Sequence, residues 1–432
     1  MIRRVKIEGY KSLKSVEIPL SKLTVFFGPN GVGKSNLMDS LGLLSRMATK
    51  KTIKEAFEDH RGDPLEAFYF GDTGVEGLLK QGSAEFNIEV DVELSDSVVA
   101  TVAQQIREMR EGLPSSSTLS KNPVAERLLR YELTVEINTS SGHLRVKNER
   151  LSALKRDGSI KKARNPFIEK VENKLHVRME GHAHPTYREL GLDYTIVSSP
   201  LYPPHYPHIV AFREELSRWR FYYFEPKAMR VENPLKETDA VGPFGNDLAA
   251  FYNNLKVKQP AQFTAINKSL KVVLPNIERL DVELTREGYL QLKVIEKGVP
   301  YSSRVISEGT LRILGLMAIT NPIIPATVLG FEEPENGVHP RRLSQIADLL
   351  KNASNNDTQV LVNTHSPLLP DYFDEQPDDQ SLIKCTKKDR ATVFTPFKST
   401  GPLFKQNEID SALSDILETS LASRLVRGDF DE

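Results

Sequence analysis

An α/β fold built around a phosphate-binding loop is predicted by three observations. An apolar run at 23–27 leads into Gly28-Pro29-Asn30-Gly31-Val32-Gly33-Lys34-Ser35, which satisfies G-x-x-x-x-G-K-[ST] in full. A second apolar run, 328–331, ends on Glu332-Glu333, and a third, 359–362, is followed by His365. Open α/β sheets bind ligands at the C-terminal ends of their strands. Three such strands can therefore bring a phosphate loop, two carboxylates and a histidine to one edge.

The elements follow in order. Residues 5–7 and 16–18 alternate like half-buried strands, joined through Tyr10-Lys11-Ser12. Residues 23–27 are apolar throughout, as in a strand covered on both faces. After the 28–33 loop, Leu37, Met38, Leu41 and Leu44 predict a helix over 34–47. The middle of the chain reads as a strand at 86–92, an amphipathic helix at 96–111 and a hairpin at 133–137 and 144–146. The Pro-, His- and Tyr-rich stretch 200–207 reads as a fixed loop, and 217–224 as an aromatic structural segment. Residues 280–284 and 290–294 predict a second hairpin around Glu287-Gly288. Helices are expected at 308–317, 340–350 (with Pro340 in its favourable first turn) and 408–426, and buried strands at 327–331 and 359–363. No repeat and no sustained heptad is present in the sequence, so no long coiled coil is expected.

Composition narrows the function. With 57 Lys+Arg against 58 Asp+Glu, the net charge of −1 argues against a chain that coats nucleic acid by bulk charge, though it leaves room for a local basic patch. The single cysteine, Cys385, allows no intramolecular disulfide and no Cys-based zinc site, which fits a reducing, cytoplasmic setting. Glu8 and Lys11 interrupt what would be the apolar core of a secretory signal. The greasiest stretch, 311–331, holds Arg312, Asn321, Pro322 and Pro325, so no membrane span is expected.

The motifs assign chemistry. Glycines let backbone N–H groups approach phosphate oxygens, and the helix N-terminus adds positive potential. Asn30, Gly31, Gly33, Lys34, Ser35 and Asn36 are the nucleotide-contacting candidates. Lys34 should reach the β- and γ-phosphates of ATP, and the Ser35 hydroxyl should ligate Mg²⁺. Glu332 is the second expected Mg²⁺ ligand, and Glu333 is placed to orient or deprotonate the attacking water. Ser307 and Gly309 precede an apolar helix and could form a second anion site; taken alone, they read first as an ordinary helix cap. His365 can hydrogen-bond the γ-phosphate and the attacking water.

In this order the motifs resemble the ATP-binding cassette (ABC) heads of the SMC, RecF and OLD-type ATPases. Ser307-Glu308-Gly309-Thr310 resembles the signature motif, the 331–340 block Phe-Glu-Glu-Pro-Glu-Asn-Gly-Val-His-Pro the Walker B and D-loop region, and His365 the switch histidine. The opening Ile7-Glu8-Gly9-Tyr10-Lys11-Ser12-Leu13 is similar to the first strand of these heads. Glu332 stands where that family usually has aspartate, and His339 at the D-loop aspartate position. Gln81 is the Q-loop candidate by position, with an exposed turn glutamine as the alternative. The resemblance implies a P-loop NTPase of ABC-head type split by a mixed α+β insertion. Its N-terminal half would span 1–95, the insertion 96–230, and the C-terminal half with a terminal helix 231–432. Two heads would close around two ATP molecules, each between Lys34 and Ser35 of one copy and Ser307 and Gly309 of the other. That makes a homodimer or higher oligomer the expected assembly.

Three functions remain open at this level. One is a switch controlling a separately encoded effector, a nuclease or toxin, as in bacterial anti-phage systems. Another is a RecF/SMC-like DNA-repair ATPase, and the third a nucleotide-gated scaffold. The stretch after His365 is too short for a Toprim nuclease, so none is expected in this chain. The basic segment 145–164 (Arg145, Lys147, Arg150, Lys155, Arg156, Lys161, Lys162, Arg164) could track nucleic-acid phosphates or be a solvated hairpin face. An acidic loop spans 371–379, and His182, His184, His205 and His208 are the residues a metal reading would use.

Overall fold

The computed structural model describes residues 1–71, 73–111, 123–182, 184–355, 358–373 and 380–397. The expected 408–426 helix and most of the acidic loop lie outside them. A six-stranded sheet runs in the order Trp219–Tyr222, Val328–Glu332, Gln359–Thr364, Leu23–Phe27, Gln380–Lys388, Ala391–Phe397. The first five strands are parallel, and the last returns antiparallel. The carboxylate strand (Val328–Glu332), the histidine strand (Gln359–Thr364) and the phosphate-loop strand (Leu23–Phe27) are thus adjacent, and their C-terminal ends share one edge.

Burial on both faces explains the apolar runs. Phe26, Val328 and Leu361 share a core with Leu37, Met38 and Leu41 of the phosphate-loop helix, Lys34–Met47. Val25, Leu329 and Val362 share the opposite core with helices Glu308–Ile319 and Leu343–Asn355. Helix Glu308–Ile319 is buried from Leu311 to Ile319, as expected of a helix apolar all round. Residues 340–342 form only a short 3₁₀ turn before the helix at Leu343, so the expected 340–350 helix starts later and ends later.

An eight-stranded antiparallel sheet forms the other half. Its order is Leu13–Pro19, Ile2–Tyr10, Ser83–Glu93, Leu128–Asn138, Leu144–Ala153, Ile168–Val171, Lys174–Val177, Thr186–Glu189. Ser83–Glu93 pairs along its whole length with Leu128–Asn138, so this sheet crosses the expected 95/96 boundary without a break. Trp219–Tyr222, on the insertion side of the 230/231 boundary, pairs with the carboxylate strand. Backbone hydrogen bonding thus crosses both expected boundaries and ties strands of the middle of the chain to strands on either side of them. A small antiparallel sheet (Asn233–Pro234, Tyr289–Glu296, Arg279–Leu284 and Val299–Ser302) precedes the helix that Ser307 caps.

Helices Pro207–Ser217, Leu248–Lys258 and Pro260–Val273, and the hairpin Gln380–Phe397, were not expected from the sequence. The hairpin's first strand shows exposed lysines between buried Leu382, Ile383 and Cys385, so its pattern is too polar to stand out. Among the described residues no helix is long and apolar enough to cross a membrane.

Candidate functional site

The phosphate-loop glycines divide by cause. A Cβ at Gly28 would lie 2.3 Å from the Cys385 carbonyl oxygen, and one at Gly33 2.0 Å from Thr392 Oγ1 and 2.4 Å from Ser12 Oγ. Both are required by the neighbouring hairpin and the Ser12 turn. Gly31 has nothing within 4 Å and a φ of +77°, so it is the glycine whose conformation leaves the loop open to a ligand. Ser12, Asn36 and Thr392 are linked through Asn36 Nδ2 to Ser12 Oγ (2.7 Å) and Ser12 Oγ to Thr392 Oγ1 (2.6 Å), and Thr392 donates to the Val32 carbonyl (2.7 Å). Asn36, expected to contact nucleotide, instead has its carboxamide nitrogen engaged in bracing the loop. Asn30 is exposed at the loop's tip.

Lys34 is buried, and its ammonium donates to the Gly28 and Pro29 carbonyls at 2.6 and 2.9 Å. Burial lowers its pKa, against the pull of Glu333, Glu335 and Glu332. Ser35 Oγ donates to Glu332 Oε2 at 2.7 Å. Burial also pushes the Glu332 carboxyl above its usual range, while the Ser35 bond and Arg61 oppose the shift. A hydroxyl and a carboxylate already within one hydrogen bond are hard oxygen donors that fit Mg²⁺, which keeps waters and takes its remaining ligands from phosphates. No cluster of three or more His, Cys, Asp or Glu suited to a metal occurs among the described residues.

Glu333 follows at the strand's end in the left-handed region, at φ +51°. That conformation is uncommon for a side-chain-bearing residue and marks a position held by its surroundings. Its N–H donates to the Asn363 carbonyl at 2.8 Å. Its Oε1 lies 3.0 Å from His365 Nδ1, both side chains being partly open to solvent. Thr364 donates to Glu335 Oε1 at 2.5 Å, tying the turn after the carboxylates to the histidine strand. Burial raises the Glu335 carboxyl's pKa. The structure therefore brings Lys34, Ser35, Glu332, Glu333 and His365 to one edge.

Ser307 and Gly309 lie elsewhere in the same chain. Ser307 is exposed and accepts the Thr310 N–H (3.3 Å) as N-cap. A Cβ at Gly309 would sit 2.7 Å from the Gly337 carbonyl oxygen, so this glycine is needed for close packing on the chain's own post-carboxylate turn. Gln81 is exposed in the turn after helix Gly74–Leu79 and does not line the cavity beside Glu332.

Arg61 was missed. Its guanidinium lies 3.7 Å from Glu332 Oε2 and 5.4 Å from the Tyr223 ring centroid. Lys11 fixes the segment through the Arg61 carbonyl (2.9 Å) and pairs with Asp39. Arg61, Tyr223, Asp39 and Glu332 line a cavity of about 340 Å³ with Arg46, His60 and Glu225. Nothing in the sequence distinguishes Arg61 from a solvated arginine; only the fold carries it to Glu332.

Several of the other candidate side chains are engaged by carboxylates of the same chain. Arg145 and Lys147 pair with Glu136, Arg150 with Glu132, and Lys161 and Arg164 with Glu126. That leaves Lys155, Arg156 and Lys162 as the remaining basic residues of the segment, so it is much less basic than its sequence. His208 Nδ1 pairs with Glu180, its Nε2 accepts the Glu126 N–H at 2.9 Å, and its ring stacks on Phe167.

Family models match both parts of the chain: "AAA ATPase domain" over residues 1–193, and "AAA domain, putative AbiEii toxin, Type IV TA system" over 207–371. An SMC head bound to the C-winged helix domain of ScpA superposes with a TM-score of 0.55 at 14% identity, covering 92% of this chain and 98% of that one. A Pyrococcus furiosus-derived Smc head with an extended coiled coil, bound to the C-terminal domain of ScpA, gives 0.53 at 12% identity, over 96% and 98%. This chain has the fold of an ABC-type, SMC-like ATPase head, and both of its parts match models of ATPase domains. In sequence, the head is 50% identical over 46 residues to the DNA replication and repair protein RecF of Bacteroides thetaiotaomicron, 10% of this chain and 12% of that protein. It is 21% identical over 336 residues to mouse structural maintenance of chromosomes protein 1B, 70% of this chain and 25% of that protein. The head thus spans a small part of the length of both relatives.

Proposed function

We propose that the head binds ATP with Mg²⁺, pairs with a second copy around two nucleotides, and uses hydrolysis to switch a partner effector. The observation that carries the reading is the convergence of two pairs at one sheet edge, Ser35–Glu332 and Glu333–His365. Lys34 and the loop N–H groups hold the β- and γ-phosphates. Mg²⁺ on Ser35 and Glu332 supplies charge neutralisation at those oxygens. Glu333 orients a water in line with the γ-phosphate and accepts its proton, while His365 fixes the Glu333 carboxylate and contacts the γ-phosphate. Ser307, exposed and remote in sequence from the loop, serves the nucleotide of the second copy. Release of phosphate removes the bridge between copies and loosens the pair.

Complementation in trans tests the pairing. Lys34→Ala and Ser307→Arg should each be inactive, and mixing them should restore turnover, because the intact loop of one meets the intact Ser307 of the other. Two dead variants that stay dead when mixed, with purified wild type turning over as a monomer, would remove the sandwich.

For the effector, the match of 207–371 to a model named for a putative AbiEii toxin supports control of a nuclease or toxin in anti-phage defence. Co-purification with the product of a neighbouring gene tests it. The RecF and SMC similarities support a second reading, a DNA-acting ATPase. Turnover stimulated by DNA and falling steeply with salt would favour it.

A further inference from the structure

Asn363 is 1% exposed, and neither its carboxamide nitrogen nor its oxygen has a partner. Among the described residues it is the one side chain with two such buried, unpaired atoms. A buried amide left in this state is costly, and native structures keep few of them without a reason such as a water or ion.

Its position supplies the reason. The parallel ladder sets Asn363 opposite Glu332 on one side and Phe26 on the other. Alternation along these strands puts Val328, Gly330 and Glu332 on the same face as Leu361, Asn363 and Phe26. That face is covered by the phosphate-loop helix: Val328, Leu361 and Phe26 share its core, and a Cβ at Gly330 would lie 3.2 Å from Met38 Sδ. On this face Glu332 accepts the Ser35 hydroxyl. The orphaned carboxamide therefore stands in the row that carries the proposed cation ligand.

We propose that Asn363 is a positioning residue of the cation site, hydrogen-bonding a water in the coordination sphere of the divalent cation held by Ser35 and Glu332. This rests on the reading of that pair as the Mg²⁺ ligands. A cation with so few protein ligands keeps several waters, and each needs an acceptor to fix its place. The carboxamide supplies a buried acceptor for one of them, and its N–H₂ remains a donor for the carboxylate or a phosphate oxygen.

The test uses the full chain, ADP and Mn²⁺, with bound Mn²⁺ counted by electron paramagnetic resonance. Wild type binds Mn²⁺ in the presence of ADP. Asn363→Leu, similar in volume and apolar, should weaken Mn²⁺ binding about tenfold or more, with metal-free ADP binding and the metal-free melting temperature not reduced. Asn363→Asp, which keeps an acceptor, should retain Mn²⁺ binding. A residue that merely fills the core predicts the reverse order, with leucine harmless and aspartate harmful. Asn363→Leu with Mn²⁺ affinity within about twofold of wild type overturns the inference while leaving the cation site standing. Loss of ADP binding without metal in Asn363→Leu also overturns it. If wild type itself takes up no Mn²⁺ with ADP, the underlying reading of Ser35 and Glu332 falls too.

Discussion

The two large sheets treat their buried charges in opposite ways. In the antiparallel sheet, Asp91 is clasped by Arg4 and Arg130, Glu136 by Arg145, and the fully buried Glu149 accepts the N–H groups of Ile196 and Val197 and the hydroxyl of Tyr131. In the nucleotide sheet, Glu333 sits in a left-handed conformation, Asn363 has no partner, and Glu335 Oε2 is buried and unpaired. The first sheet pairs its buried carboxylates within itself, although Arg150 Nε and Ser152 Oγ on one of its strands have no partner. The second leaves them unfilled or strained along one edge, where a ligand can complete them. Polar groups matched by the protein read as structure, and those left open mark the site.

Substitutions on each side sharpen this contrast. The largest effect is expected from Glu333→Gln, which should cut turnover by about 10²–10⁴-fold while nucleotide binding is kept. Phosphate release alongside equilibrium nucleotide titration checks both halves, and normal turnover would sink the base assignment. Glu149→Leu should leave turnover chemistry untouched but destabilise the fold by about 3–5 kcal/mol, because three buried donors lose their acceptor. Denaturant unfolding measures it.

Glu149 also gives the antiparallel sheet a pH signature. Burial pushes its carboxyl up to about 7 from the ordinary 4.5, with its three donors pulling the other way. Between those values the folded state holds the proton and the unfolded chain does not. The contribution of Glu149 to stability should therefore be fullest below about 4.5 and fall as pH rises toward about 7, by up to about 1.4 kcal/mol per unit. Unfolding curves across this range should be flatter for Glu149→Gln; equal slopes would show that the donors win and the group stays ionised.

Gly309→Ala should cost about 1–3 kcal/mol, since its Cβ would crowd the Gly337 carbonyl and disturb the turn after Glu333. A Glu333-linked loss of turnover larger than the loss of stability would show that the two elements are coupled. The smallest effect is expected from Ser307→Ala, which removes the helix cap at about 1 kcal/mol in thermal or denaturant unfolding.

The phosphate loop, the carboxylate pair and the histidine were legible because each is a short motif next to an apolar run, and an apolar run reports a buried strand whatever its neighbours. Arg61 and Asn363 were not legible. One is an ordinary arginine in a bend, brought to Glu332 by tertiary packing; the other is an ordinary asparagine near a strand end, set beside Glu332 by pairing across the sheet. The basic segment stayed open between two readings for the same reason: its sequence lists the cations but not Glu126, Glu132 and Glu136, which the fold pairs with them.

By itself, then, the sequence determined the class of fold, the phosphate loop and the run of motifs along the chain, because local periodicity and contiguous motifs depend on neighbours along the chain. Tertiary structure alone decided which loop glycines are required by packing and which stands open. It also joined the middle of the chain to the head's own sheets, and left Asn363 open beside Glu332. Each of these depends on atoms far apart in sequence that only strand register and the close approach of backbones bring together.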